Sequence, residues 1–168
     1  FVGPPFTFGF RLLGTDCGAV GLNSAVVVND TAYWMSEGRF MIYRGSIQEL
    51  PCSVKNYVFS DINTAQNTQV YAGENNEFNE VIWFYCSSNS SQVDRYVIYN
   101  YQEQVWYIGN LSRSAWVDQG VFSIPQATEY DASSTAATTD TLNGVSAGRS
   151  FIYEHETGES DNGSVMNT

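Results

Sequence analysis

Two stretches of the sequence, residues 32–43 (AYWMSEGRFMIY) and residues 81–101 (VIWFYCSSNSSQVDRYVIYNY), have the same order of features. Each has a Trp-bearing apolar run, a polar turn and a second run that ends or continues through Ile-Tyr. Short runs rich in aromatic and β-branched residues between turn residues predict β-hairpins. A chain that builds one hairpin twice is constrained toward a repeat architecture, in which each unit buries its apolar face against a neighbour.

Further strands extend each hairpin into a four-stranded meander. The first meander contains AVVVN, TAYWM, RFMIY and IQEL, and the second contains TQVYAG, EVIWFYCS, DRYVIYN and QVWYIG. When the two are aligned, Trp34 matches Trp83, and the run 41–43 matches the run 97–99. Apolar runs such as AVVV suggest burial on both faces, so we expect the sheets to stack on each other.

A third unit begins with the predicted strands SAWVDQG and FSIPQ and ends with RSFIYEHETG, while residues 128–148 read as a long loop or weak strands. The three blade-like units cover about residues 25–50, 69–109 and 113–158 of a single β-rich domain. The predicted fold class is all-β, with stacked antiparallel four-stranded meanders that resemble β-propeller blades. Closed propellers have about four to eight blades, so we interpret the chain as part of a propeller and as a fragment of a longer protein. A two-sheet sandwich is the alternative.

One segment departs from the strand pattern. Apolar residues recur at helical spacing from Val54 to Ile62, and Ser53 is a suitable N-cap. A second short turn can restart at Asn63 or Thr64. We therefore predict one short helical insertion between the first two units.

The charge of the chain restricts its partners. Eighteen acidic residues face seven Lys and Arg residues, and the net charge is -11. Nucleic-acid binders carry a basic face, and a chain this acidic is repelled by anionic membrane surfaces. Three cysteines, Cys17, Cys52 and Cys86, make an odd number without CxxC spacing, which predicts reduced thiols packed as small apolar side chains.

Candidate catalytic or metal-binding residues are few. His155 is the one histidine, and Glu154 and Glu156 flank it. A metal site needs several converging ligands, and a Ser-His-Asp hydrolase of the common kind places a GxSxG turn between a strand and a helix. The sequence has this spacing in GVSAG, residues 144–148, but within the stretch that reads as a long loop or weak strands. The segment ETGESDNGS lacks the ligand order of a calcium loop. We therefore predict no enzyme activity and no catalytic, cofactor-binding or metal residues.

A glycan-binding or glycan-cleaving propeller, such as a receptor-recognition tail protein, is the alternative function. Carboxylate pairs cleave glycosides, and aromatic rings stack on sugars. The candidate acids are Glu74, Glu77, Glu80 and Asp94, and the candidate aromatics are Trp106, Tyr107 and Trp116. The repeated Ser-x-Asp-x-Gly-x-x-Trp turn of sialidase-type propellers does not occur in the sequence.

The run AYWMSEGRFMIYRGSIQELPCSVKNYVFSDIN and the run EVIWFYCSSNSSQVDRYVIYNYQEQVWYIGNLSRSAWVDQG carry a resemblance. Over about residues 13–158, the whole pattern resembles the propeller region of the tail nozzle or packaged-DNA-stabilising proteins of short-tailed bacteriophages. The resemblance implies a structural virion protein, made in the bacterial cytoplasm, in a homo-oligomeric ring below the portal and adaptor. It implies that genomic DNA passes through the ring, which retains the genome until infection. The acidic charge independently predicts that the DNA is conducted without tight binding and that the protein does not contact membranes, and we expect no cofactor.

Overall fold

The structure is a computed structural model that describes residues 8–120, 122–131, 149–157, 160–161 and 164–165. The first sheet has the order β1 (Ala25–Val28), β2 (Thr31–Ser36), β3 (Arg39–Tyr43) and β4 (Ile47–Leu50). The second has the order β5 (Tyr71–Asn75), β6 (Glu80–Tyr85), β7 (Arg95–Asn100) and β8 (Val105–Gly109). In the third, β10 (Gln126–Asp131) lies between β9 (Ala115–Val117) and β11 (Arg149–Glu154). The antiparallel sheets confirm the predicted all-β class.

Both predicted four-stranded meanders form, and local turn chemistry explains their tight connections. Asn29 and Asp30, between β1 and β2, have φ angles of 49° and 59°. Two consecutive positive φ angles are typical of a type I′ turn, whose twist matches that of the strands and which favours Asn, Asp and Gly. Gly38, with φ at 70°, provides the positive φ between β2 and β3.

Strand register confirms that the matched tryptophans occupy equivalent positions. Trp34 lies opposite Ala25 and Met41 in the first sheet. In the second sheet, Trp83 lies opposite Ala72 and Val97. In each case the tryptophan is in the second strand, with alanine on one side and the first residue of the x-Ile-Tyr run on the other.

Each sheet therefore has two distinct faces, because successive side chains of a strand point to opposite sides. We name the tryptophan face after Trp34, Trp83 and Trp116. We name the isoleucine face after the isoleucines of the three x-Ile-Tyr runs, which are Ile42, Ile98 and Ile152. In the third sheet, Trp116 comes from the first strand and lies opposite Ala127, which in turn lies opposite Tyr153.

The sheets stack with unlike faces in contact. One core cluster joins the isoleucine face of the first sheet, including Tyr33 and Phe40, to the tryptophan face of the second, including Trp83 and Tyr99. A second cluster joins the isoleucine face of the second sheet to Trp116 and Ala127 of the third. The units are thus stacked front to back, whereas a symmetric sandwich would bring like faces together. No closed propeller is detected among the described residues.

All four tryptophans also link their sheet to an earlier segment of the chain. Each indole N–H donates to a distant main-chain carbonyl: Trp34 to Cys17 (2.7 Å), Trp83 to Ser24 (3.1 Å), Trp106 to Pro51 (2.9 Å) and Trp116 to Glu74 (2.7 Å). Buried indole N–H groups need such an acceptor. These bonds fix how each tryptophan face is aligned with the segment that covers it.

The predicted helical insertion forms, with one correction at its start. Helix α1 spans Lys55–Asp61, its N-cap is Val54, and no side chain caps it. The prediction of Ser53 as N-cap is wrong because a main-chain turn, in which Lys55 N–H donates to the Cys52 carbonyl, begins the helix. The restart is confirmed, since the Asn63 side chain accepts from Ala65 N–H and a 3₁₀ helix spans Thr64–Gln69. A further 3₁₀ turn spans Asn76–Phe78.

The third unit departs from the prediction in two places. FSIPQ is not a strand: the chain bends at residues 122–124, and β10 begins after the buried Pro125, which has no N–H to pair. The loop or weak strands predicted for residues 128–148 include the end of β10, and residues 132–148 lie outside the described part. Near the end of the chain, β12 (Ser160–Asp161) and β13 (Ser164–Val165) form a short antiparallel pair.

The second and third sheets approach so closely that a glycine is required between them. A Cβ atom added at Gly73 would lie 2.8 Å from Cδ1 of Trp116. We expect Gly73→Ala to lower the free energy of unfolding by about 1–3 kcal/mol, because overpacking displaces the indole. Chemical denaturation followed by tryptophan fluorescence measures the effect. Gly18→Ala is the control, since its added Cβ meets no atom within 4 Å, and equal loss in both variants would contradict the predicted contact.

Candidate functional site

A cluster of polar groups centred on Arg113 lies where the third sheet meets the second. Arg113, just before β9, is 8% exposed. Its Nη1 donates to Oε2 of Glu129 (3.1 Å) and to the Ser112 carbonyl (2.7 Å). Its guanidinium carbon lies 4.1 Å from the ring centroid of Tyr153. The carboxylate and the ring compensate the cost of burying this cation.

His155, which follows β11, belongs to the same cluster. Arg113 Nε donates to His155 Nε2 at 3.0 Å, so this nitrogen acts as an acceptor and the imidazole is neutral in this arrangement. The His155 ring packs against Trp116, with 4.8 Å between ring centroids. In the sequence His155 is flanked by Glu154 and Glu156, and the structure adds contacts with an arginine and a tryptophan that are distant in the sequence.

An open cavity of about 370 Å³ lies beside this cluster. Its lining comes from the loop before β9 together with β10, β11 and the β6–β7 connection: Asp94, Asn110, Leu111, Ser112, Arg113, Glu129 and Tyr153. The Arg113 guanidinium is already engaged by Glu129. Among the described residues that line the cavity, no positive charge is therefore left unneutralised for an anionic substrate.

A second polar cluster surrounds Asn75 at the end of β5. Asn75 is 2% exposed, and Glu80 lies directly opposite it on β6. Its Nδ2 donates to Oε1 of Glu156 over 3.4 Å, at the outer limit of a hydrogen bond. Its Oδ1 is buried and accepts no hydrogen bond. Asp118, next to this cluster, accepts from Asn76 N–H through Oδ2 (3.0 Å), while its Oδ1 is buried without a donor.

Burial and neighbouring carboxylates raise the pKa values of two glutamates in this region. Burial raises the pKa of Glu80, and the charge of Glu156 raises it further. Burial also raises the pKa of Glu74, with a second contribution from Asp118. The folded state therefore binds the protons of these two carboxyl groups more tightly than the unfolded state does. The resulting stabilisation of the fold is complete at pH values below the unfolded-state pKa, and it is lost as the pH rises through the folded-state pKa.

The four acids that are candidates for a glycosidase carboxylate pair do not converge on one site. Glu74 and Glu80 lie on opposite faces of the second sheet, because Glu80 shares its face with Asn75. Glu77 is exposed in the 3₁₀ turn. Asp94 lies at the opposite end of β6 from Glu80, where its carboxylate accepts from Ser87 N–H and Oγ, both at 2.7 Å. The carboxylate of Asp94 thus closes the β6–β7 turn.

Two of the three aromatics proposed to stack on sugars belong to the core. Trp106 packs against Phe40 and Tyr99, with ring centroids 4.7 Å apart in both cases. Trp116 is 6% exposed. Tyr107 is the exposed member, at 47%. Alternation along β8 separates Tyr107 from Trp106 by face, so the two cannot form one sugar-binding platform.

The cysteines are unpaired, as predicted. Cys17 and Cys52 are half-buried, and Cys86 is buried. Burial raises the pKa of Cys52 and that of Cys86 to about 11. At neutral pH both of these side chains are therefore protonated thiols with low reactivity.

No helix within the described residues has the length and apolarity needed to cross a membrane. Among the same residues, no three or more His, Cys, Asp and Glu side chains converge closely enough to hold a metal ion by themselves. Comparison of the sequence with models of known protein families and with curated proteins finds no match.

Proposed function

We propose that this chain is a structural module of a bacteriophage tail, in a nozzle-like ring below the portal and adaptor that retains and conducts genomic DNA. The observation that carries the proposal is the front-to-back stacking of sheets through their tryptophans. Stacking of this kind builds propellers and other repeat assemblies. The resemblance of the sequence pattern to phage nozzle proteins provides the biological setting.

The charge of the chain also supports a conducting role. With a net charge of -11, a channel wall made of this module would repel the duplex and let it slide. Arginine and lysine contacts to phosphates would instead hold DNA through counterion release. Several of its seven cations are already paired, including Arg39 with Asp16 and Arg95 with Asp61.

Two measurements test the proposal. Electron microscopy of the purified protein should show rings with a central channel, and fluorescence anisotropy should detect no duplex binding at micromolar protein in ~0.15 M salt. Dispersed particles without a ring would contradict the structural role. Micromolar DNA affinity would contradict the conducting role, because genome ejection needs a wall that does not grip DNA.

The glycan-binding alternative has weaker support. Of the three candidate rings, Tyr107 is exposed and available to stack on a sugar, whereas the other two pack in the sheet interfaces. A glycan array separates the two functions. Specific sugar binding that is lost in Tyr107→Ala would favour a receptor-recognition protein over the ring module.

A further inference from the structure

The isoleucine face of the third sheet is exposed, unlike that of the other two sheets. In the first and second sheets, the tryptophan face of the following sheet covers it. In the third sheet, Ile152 on this face is 73% exposed, and Val117 and Tyr130 on the same face are exposed as well. Exposed apolar surface of this kind is typical of sites that contact another protein.

At the other end of the stack, the chain before β1 covers only part of the tryptophan face of the first sheet. The Cys17 carbonyl accepts from the Trp34 indole. Gly14 lies against Ile47 of the same face, since an added Cβ there would be 3.2 Å from Cδ1 of that isoleucine. Val27, also on this face, remains exposed. This end of the stack therefore has apolar surface to offer as well.

Residues 8–13, which we call the arm, lead into that covering segment. Phe10 is fully exposed, and Phe8 and Leu12 are exposed too. In extended backbone, alternate residues point to the same side, so these three side chains can form one apolar strip. Such a strip is suited to lie along the surface of a sheet.

The two exposed ends carry opposite charges. Arg11 is the one charged residue of the arm, and Glu154 is the one charged strand residue on the isoleucine face of the third sheet. Both are exposed, and neither has an ion-pair partner among the described residues. A contact between the two ends would pair a cation with an anion on surfaces that are otherwise uncharged.

We propose that the isoleucine face of the third sheet in one copy of this chain binds the arm and the tryptophan face of the first sheet in a second copy. The contact continues the front-to-back order that the chain already uses twice. Packing two isoleucine faces on each other would instead bring two Glu154 carboxylates into one apolar interface. Head-to-tail order gives each Glu154 a cation from Arg11.

Head-to-tail contacts leave one binding surface free at each end of a pair. Association therefore continues until the copies close a ring or form an open filament. The contact joins neighbouring subunits of the proposed tail ring, and it rests on that proposed function only for the closure into a ring.

Sedimentation velocity of the purified chain between about 1 and 100 μM tests the proposal, because interfaces of standard size reach down to micromolar affinity. We expect the average mass to rise with concentration beyond that of a dimer. Phe10→Glu and Ile152→Glu should each weaken association by about tenfold or more, since a charge replaces a central apolar side chain. Both variants should fold, because the replaced side chains are exposed. Tyr107→Glu, at an exposed aromatic of the second sheet, is the control and should associate like the unmodified protein.

Mixing the two variants tests the polarity of the contact. Phe10→Glu protein keeps an intact isoleucine face, and Ile152→Glu protein keeps an intact arm. An equimolar mixture should therefore form dimers and nothing larger. Charge reversal adds a second test: Arg11→Glu and Glu154→Arg should each weaken association by about fivefold, the size of an exposed ion pair, and the double variant should recover it.

Three outcomes would overturn the proposal. They are a single-chain mass at every concentration, a mixture of the two variants that forms no dimers, and equal weakening by Tyr107→Glu. Association that survives Phe10→Glu but not Ile152→Glu would also overturn it, because like faces would then be in contact. Electron microscopy separates this failure from that of the proposed function. Rings that persist in Ile152→Glu contradict the contact alone, whereas open filaments that Ile152→Glu abolishes contradict the ring alone.

Discussion

Trp83→Ala is expected to lower the free energy of unfolding by about 3–5 kcal/mol, the range for a large buried aromatic. The Trp83 side chain is fully buried between the first two sheets, and its ring lies 4.9 Å from that of Phe40. Its removal leaves a cavity and deletes the bond to Ser24. Denaturant unfolding followed by circular dichroism measures the change. For a chain of 168 residues, the accompanying fall in Tm is roughly 6–20 °C.

Trp34→Ala should have an effect of the same order, because Trp34 is 9% exposed and holds the equivalent register. Tyr107→Ala is the matched control: it removes an exposed aromatic from β8 and should change stability by less than about 0.5 kcal/mol. A Trp83→Ala protein as stable as Tyr107→Ala would show that the first two sheets do not pack through the tryptophan face.

The second large effect is expected from Arg113→Met, at about 3 kcal/mol of destabilisation. Methionine keeps much of the side-chain volume but leaves the carboxylate of Glu129 without its cation, and breaking one partner of a buried ion pair has effects of this size. The Glu129 side chain is 23% exposed, so solvent limits the loss. Thermal and denaturant unfolding at pH 7 measure it.

Arg39→Met is the control for Arg113→Met. Its partner Asp16 has a side chain that is 83% exposed, and exposed ion pairs contribute about 0–1 kcal/mol. The double variant Arg113→Met/Glu129→Gln should recover part of the stability, because it removes the stranded charge. Equal effects of Arg113→Met and Arg39→Met would contradict the structural role of the Arg113 cluster.

Local sequence signals predict the first two sheets well. Tight turns such as Asn29-Asp30 separate short aromatic and β-branched runs, and each of these features depends on neighbouring residues. Once the strand register is known, the x-Ile-Tyr run also predicts which face of each of these two sheets packs on the following sheet. Ile42 and Ile98 both lie on that face. Ile152 has the same position and is 73% exposed.

The polar clusters were not predictable in the same way. Arg113 and His155 are 42 positions apart, and Asn75 and Glu156 are 81 apart. No local pattern indicates that such residues meet, because stacking of the sheets decides it. Residue type makes Glu74 and Glu80 candidates for a glycosidase pair, but strand alternation places them on opposite faces of the sheet. Trp106 and Trp116 are strand aromatics whose burial depends on the neighbouring sheet.

Front-to-back stacking has a consequence for how such a chain can evolve. Each sheet carries both halves of the interface, a tryptophan face and an isoleucine face that accepts the next tryptophan face. A tandem duplication of the gene segment for one sheet therefore supplies two surfaces that already fit each other. Adding another copy of the sheet therefore requires no new binding surface. In a symmetric sandwich, by contrast, the two like faces are both covered once the second sheet is in place. The third sheet carries its tryptophan on a different strand and still packs it on the isoleucine face of the second sheet, so the contact tolerates this change of position.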